Sequence, residues 1–116
     1  MERITNLLGA ACLSIAAFTS PVQSADGTML ASWYGPGFHG RLTANGEVYD
    51  QMGATAAHKT LPFGTKLLVC YQGCTTVRIN DRGPFIGARE LDLSYWAARE
   101  IGLVHPGVAN VTVQYI

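Results

Sequence analysis

Glu47, Asp50, His58, Asp81 and Asp92 are the residues of this chain whose types suit general acid and base chemistry. A carboxyl group held among apolar or like-charged neighbours can keep its proton near neutral pH, and an imidazole titrates close to it, so carboxylates placed with a histidine can move protons during bond cleavage. Four of the five lie in three polar clusters: Thr43-Ala44-Asn45-Gly46-Glu47-Val48-Tyr49-Asp50, Ala57-His58-Lys59-Thr60 and Asn80-Asp81-Arg82-Gly83-Pro84-Phe85. Each cluster reads as a loop, and loops on a rigid scaffold are where sites are built.

Each residue also has a plain structural reading. Asn45-Gly46 is a turn signal, with Glu47 as a solvated strand residue after it. Asp50 before Gln51-Met52 closes an Asx-turn. His58 on its own is a structural hydrogen-bonder, Asp81-Arg82-Gly83-Pro84 a turn with a surface ion pair, and Asp92 part of a helix cap. Trp33, Tyr34 and Phe38 are either core or, because Gly35-Pro36-Gly37 follows the first two, strand-end aromatics of the kind that meet sugar rings. Spacing alone leaves both readings open.

The elements that must position these residues are mostly strands. Thirteen glycines and five prolines punctuate short apolar stretches, and the longest helical pattern covers barely two turns. Strands are predicted at Met29–Tyr34, Lys66–Cys70, Thr75–Ile79 and Val108–Ile116. The last alternates Val111, Val113 and Tyr115 with Asn110, Thr112 and Gln114, a half-buried strand with one wet face. One helix is predicted, with Ser94 as N-cap, Tyr95–Ile101 as body and Gly102 as stop. Many short strands and one small helix point to a closed or nearly closed barrel.

Residues 1–25 read as a cleavable signal peptide. Arg3 and Glu2 precede an uncharged run from Leu7 to Phe18, then Thr19, Ser20 and Pro21, with cleavage placed after Ser24 or Ala25. The run is too short for a bilayer of about 30 Å, so the mature domain, residues 26–116, is expected to be soluble, periplasmic or secreted. Cys12 sits inside the apolar run and is not expected to carry a lipid. Export makes Cys70 and Cys74, around Tyr71-Gln72-Gly73, a predicted disulfide closing the hairpin of the two middle strands. His39, His58 and His105 lack finger-like spacing with those cysteines, so neither a metal nor another cofactor is expected. The formal net charge is zero with no basic run, which speaks against nucleic acid as a partner.

Four segments carry a resemblance. Ala31-Ser32-Trp33-Tyr34-Gly35, Phe38-His39-Gly40-Arg41 with Thr43-Ala44-Asn45-Gly46-Glu47, Ala56-Ala57-His58-Lys59-Thr60-Leu61-Pro62-Phe63-Gly64-Thr65 and Val77-Arg78-Ile79-Asn80-Asp81-Arg82-Gly83-Pro84-Phe85 resemble the rare lipoprotein A family of septal-ring lytic transglycosylases. The resemblance implies a mainly β fold, a six-stranded double-psi β-barrel with one or two short helices, and a polar site at Glu47, Asp50, His58 and Asp81. Leu91-Asp92-Leu93-Ser94 resembles the Asp-Leu-Ser motif of expansins, which adds Asp92 as a second candidate acid. The implied reaction is endolytic cleavage of peptidoglycan glycan strands after N-acetylmuramic acid, leaving 1,6-anhydro ends, in wall remodelling or daughter-cell separation. Such a reaction needs one acid/base carboxylate, whereas an ordinary glycosidase needs two.

Asp81 is the first candidate for the proton shuttle, since a position before a helix is expected to stabilise the Asp92 charge. Glu47 and Asp50 are assigned electrostatic support, His58 substrate orientation, and Trp33, Tyr34, Thr43, Asn45 and Arg82 substrate binding. A monomer is expected, and septal targeting, which the resemblance ties to a C-terminal repeat domain that many family members carry, is not carried over to this sequence. The alternative is an expansin-like module that binds and loosens wall polysaccharide without cleaving it.

Overall fold

The computed structural model describes residues 26–116; the expected signal peptide and Cys12 lie outside the described residues. Side-chain alternation builds the scaffold. In the last strand Val111 and Val113 are buried while Asn110, Thr112 and Gln114 face water, as a two-residue period requires. The same logic turns Met29 and Ala31, Leu67 and Val69, Val77 and Ile79, and Leu91 and Leu93 into one shared core.

Six strands result: β1 (Gly27–Trp33), β2 (Thr55–His58), β3 (Lys66–Cys70), β4 (Cys74–Asp81), β5 (Leu91–Leu93) and β6 (Val108–Tyr115). They close into a barrel in the order β1-β5-β2-β4-β3-β6, with β6 returning to β1. Two of the pairings, β1 with β5 and β2 with β4, are parallel between strands that are not neighbours in sequence. These two crossovers make the fold a double-psi β-barrel. Closure leaves no strand edge among the six to recruit another chain.

The helix α1 runs Tyr95–Ile101 as its sequence signals require. Ser94 Oγ accepts the Ala97 amide at 3.2 Å and donates to the Gly53 carbonyl at 2.6 Å. Gly102 ends the helix at φ 84°, a left-handed conformation that glycine adopts without a Cβ clash. Ala97, Ala98 and Ile101 face the core.

Cys70 and Cys74 form a disulfide and are register partners at the tip of the β3–β4 hairpin. That tip is docked on the end of α1. Gln72 donates its amide to the Ile101 carbonyl at 2.9 Å, and a Cβ on Gly73 would lie 2.8 Å from the Glu100 carbonyl oxygen.

The predicted strands are all present, with ends displaced by no more than two residues. Two strands were not foreseen. Ala57 and His58, read as a loop, belong to β2, and Asn80 and Asp81 are the last residues of β4. Leu91–Leu93, read as the approach to the helix, is β5. Both unforeseen strands are short, and alanine contributes little β-propensity to β2. Among the described residues no helix is long and apolar enough to cross a membrane.

Replacing Cys70 and Cys74 together by serine is expected to cost about 2 kcal/mol, since the bond closes a short loop, and to lower the melting temperature by roughly 10 °C. Thermal denaturation checks the cost. Intact mass before and after reduction, differing by two hydrogens in exported material, checks the bond.

Candidate active site

The barrel places the two aspartates in one row. Ala57 of β2 pairs with Asp81 on one side and with Asp92 on the other, and Asp92 pairs in turn with Ser32 of β1. Strands lie about 4.8 Å apart, so the backbones of Asp81 and Asp92 stand roughly 10 Å apart with alanine between them. The register slips at this point. Ala56 pairs with Ile79 but Ala57 pairs with Asp81, leaving Asn80 as an extra residue. A bulge of this kind re-aims side chains; it puts Asp81, in place of Asn80, beside Ala57.

Both aspartates open onto a groove of about 350 Å³ whose lining includes Tyr34, Phe38, Thr43, Arg82 and Phe85. Their surroundings differ. Asp81 is engaged on both oxygens: Oδ1 accepts from the Ala44 and Arg82 amides at 2.8 and 2.9 Å, and Oδ2 from the Tyr34 hydroxyl at 2.7 Å. Asp92 has one such partner, the Ser32 hydroxyl on Oδ1 at 3.0 Å. Burial pushes the Asp92 carboxyl above its ordinary value, with the Asp81 charge adding to the rise while Ser32 and Arg89 oppose it. This corrects the expectation of a stabilised charge before the helix. Asp92 lies within β5, two residues ahead of the cap, and Ser94 does the capping. The field of a helix end falls off within about one turn.

Tyr34 bridges the two acidic strands. Its amide donates to the Leu93 carbonyl at 3.0 Å, next to Asp92, while its hydroxyl grips Asp81. The ring stacks on Tyr49 at 4.3 Å with planes 12° apart. Burial and the Asp81 hydrogen bond push the hydroxyl far above the ordinary phenol range, so it stays a donor.

Glu47 is held beside this row, without lining the groove. Arg78 grips it with two nitrogens at 2.7 and 3.0 Å, Asn80 donates at 3.0 Å and Asn45 at 3.1 Å. The Arg78 guanidinium and then the two amides draw the Glu47 carboxyl down to about 2. The turn it closes is tight: Thr43 Oγ1 donates to Asn45 Oδ1 at 2.7 Å, and the Asn45 amide reaches the Asn80 carbonyl at 3.2 Å. Glu47 thereby supports the segment that brings the Ala44 amide to Asp81.

The other expected residues fall elsewhere. His58 Nδ1 accepts the amides of Thr60 and Leu61, each at 3.1 Å, and burial lowers its proton affinity. Its carbonyl receives Arg82 Nη1 at 3.4 Å, and the Arg82 guanidinium lies 4.0 Å over the Phe63 ring. Asp50, with its side chain 65% exposed, accepts the Met52 amide at 2.9 Å, an Asx-turn. Trp33 points toward α1, donating to the Val104 carbonyl at 3.3 Å and packing 5.5 Å from Tyr95. Neither Asp50, His58, Asn45 nor Trp33 lines the groove.

The sequence reading missed Ser32 and Ala57, and it gave no role to Arg41, which lines the groove. A buried serine and alanine inside apolar strands carry no signal of their own; only the register shows that they flank Asp92. Among the described residues no three histidine, cysteine, aspartate or glutamate side chains gather closely enough to hold a metal ion.

Comparison with known proteins fits this geometry. A family model described as lytic transglycolase matches residues 26–113, a span that includes every strand pair of the row and both aspartates. The probable endolytic peptidoglycan transglycosylase RlpA of Synechocystis is 57% identical over 90 residues, covering 75% of this chain and 28% of that protein. Endolytic peptidoglycan transglycosylase RlpA of Campylobacter jejuni is 52% identical over 97 residues, covering 81% and 34%. The chain thus spans about a third of the length of these curated relatives. Among solved structures, a Streptomyces papain inhibitor shares the fold with a TM-score of 0.62 at 22% identity, covering 78% of this chain and 94% of that one. From the matched motifs, which run through the barrel and its acidic groove, the chain belongs to the lytic transglycolase family.

Proposed function

We propose that this chain is an endolytic peptidoglycan lytic transglycosylase that acts outside the cytoplasm, in the periplasm or after secretion, on the glycan strands of the wall. One observation carries the reading: a half-buried carboxyl group, Asp92, with a raised proton affinity, opens into an aromatic-lined groove beside a fully engaged carboxylate, Asp81. An acid and an anion in separate environments are what a single-acid glycan cleavage needs.

In the proposed reaction Asp92 donates its proton to the glycosidic oxygen as the bond from the muramic C1 breaks. Positive charge develops at C1 and the ring oxygen, and the Asp81 carboxylate stabilises it electrostatically. The same sugar's 6-hydroxyl oxygen bonds to C1, and its proton returns to Asp92. Water is not consumed, and the products are a 1,6-anhydro end and a free hydroxyl on the departing sugar. Phe85 offers a ring face to the strand and Tyr34 lines the groove beside it, with Thr43 and Arg82 as polar contacts. Glu47 and His58 act at one remove, Glu47 by holding the turn that reaches Asp81 and His58 by ordering the Thr60–Leu61 turn beside Arg82. Asp50 shapes the turn before β2.

Incubation with peptide-stripped glycan, followed by mass analysis of soluble fragments, tests the reading. Anhydro ends support it. Reducing ends mean hydrolysis, and binding without fragments means an expansin-like module.

Asp92→Asn is expected to lower the rate by about 10² to 10⁴ with glycan binding retained. The folded-state proton affinity of Asp92 is raised, so its ionisation costs stability as pH climbs from the ordinary value of 3.8 through the raised one. At neutral pH the uncharged variant should therefore melt at the same temperature or higher. A clearly lower melting point would mean that the carboxylate is structural. The activity of the parent should fall as pH rises through the Asp92 titration.

Glu47 behaves oppositely. Its folded value of about 2 lies below the ordinary 4.5, so its contribution is present above pH 4.5 and is lost as pH falls toward 2. Glu47→Gln should flatten the acid side of the stability profile in that window, measured by melting temperature against pH.

A further inference from the structure

We infer that Tyr34 is a positioning residue: hung by its backbone from the strand of Asp92 and gripping Asp81 with its hydroxyl, it holds the Asp81 carboxylate as a fixed neighbour of Asp92. The sequence reading treats Tyr34 as a sugar platform, and the residue does line the groove. The hydroxyl has a different task. Tyr34 joins the two acidic strands directly, its amide donating to Leu93 O at 3.0 Å and its hydroxyl to Asp81 Oδ2 at 2.7 Å.

The ring is held independently of that hydroxyl. Tyr49 stacks on it at 4.3 Å, Phe38 meets it edge-on at 5.9 Å, and Tyr49 is itself anchored by accepting the Tyr95 amide at 3.2 Å. Without the Tyr34 donor, Asp81 keeps only backbone partners on Oδ1, and Oδ2 is free to turn toward water. The groups that act on Asp92 from the elements around it are the Ser32 hydroxyl on β1, Asp81 on β4, Arg89 ahead of β5, and the Tyr34 and Tyr49 hydroxyls. Its β2 neighbour in the row is the uncharged Ala57. Asp81 is the one anion in that set, so letting it swing away removes the charge that opposes ionisation of Asp92.

The consequence for catalysis rests on the transglycosylase reading, but the titration does not. With aspartate carboxyls labelled with carbon-13 and Asp92 assigned by its loss in Asp92→Asn, the midpoint of Asp92 is followed by NMR in the protein without substrate. Tyr34→Phe should lower that midpoint by roughly half a pH unit. Asp81→Asn should lower it at least as far, and the double variant no further than Asp81→Asn alone. Tyr34→Phe should melt within a few degrees of the parent, because the stack remains. An Asp92 midpoint that stays put in Tyr34→Phe while dropping in Asp81→Asn overturns the positioning role. A midpoint unmoved in both overturns the coupling of the aspartates, a result that Asp81→Asn delivers without touching the tyrosine stack. Where fragments are released, the alkaline limb of the rate profile should shift with the midpoint, and kcat should fall with KM little changed. A rise in KM with the limb in place would make Tyr34 a substrate contact only. Midpoints that move as stated in a protein releasing no fragments would refute the activity and leave the tie between the aspartates standing.

Discussion

The insertion of β5 between β1 and β2 is the constraint on which the site depends. Three residues make that strand, and Leu91 and Leu93 are fully buried on the core side. Alternation then turns Asp92 to the opposite face, where closure of the barrel surrounds it with Ser32 and Ala57 on adjacent strands. A carboxyl on a free segment would be hydrated and acidic. Here the two leucines anchor it in partial burial, and burial is the first cause of its raised proton affinity.

Asp81 shows the opposite outcome for the same side chain. The bulge at Asn80 brings it into the row, and two amides and a phenol then meet its oxygens. A carboxylate that accepts on both oxygens is committed as an acceptor. Burial thus sets Asp92 apart and hydrogen-bond supply holds Asp81, and that supply is arranged by residues outside the groove. Glu47, pinned by Arg78, closes the turn that delivers the Ala44 amide. His58 orders the loop beside Arg82, whose own amide is the second donor. Residues that resemble a catalytic set in sequence therefore sit in two layers in space.

Much of the scaffold was legible from local rules. Ser94 and Gly102 bound the helix, the paired cysteines mark the hairpin, and the alternation from Asn110 to Tyr115 marks the last strand. These signals depend on residues close in sequence. The parallel pairings do not, since β1 meets β5 and β2 meets β4 across long separations, and the strands involved are too short for a period to register. The acidic residues were visible as types, and Tyr34, Thr43 and Arg82 were found at the groove. Their ranking was not visible. Asp92 was read against the helix that follows it, although the leucines on either side already described a strand with an outward aspartate. Trp33, read as a strand-end platform, turns to α1 because alternation along β1 carries it away from Tyr34.

The rim of the groove closes the physical argument for a polymer substrate under the proposed reading. Phe85 is 77% exposed and Leu42 74% exposed, in a groove that also holds two carboxyl groups and two guanidinium groups. Large apolar side chains left in water next to charges form a surface that a uniformly polar ligand would not complete. A pyranose has both characters, an apolar face of ring hydrogens and a polar edge of hydroxyls, and a strand of them repeats that pattern along its length. Rings at the rim can take the faces while the floor meets the glycosidic oxygen and the 6-hydroxyl. The barrel itself has little core to spare for such an opening. Closure of the sheet, the docked disulfide tip and the satisfied caps of α1 offset the cost of keeping one carboxyl group half-buried at the bottom of it.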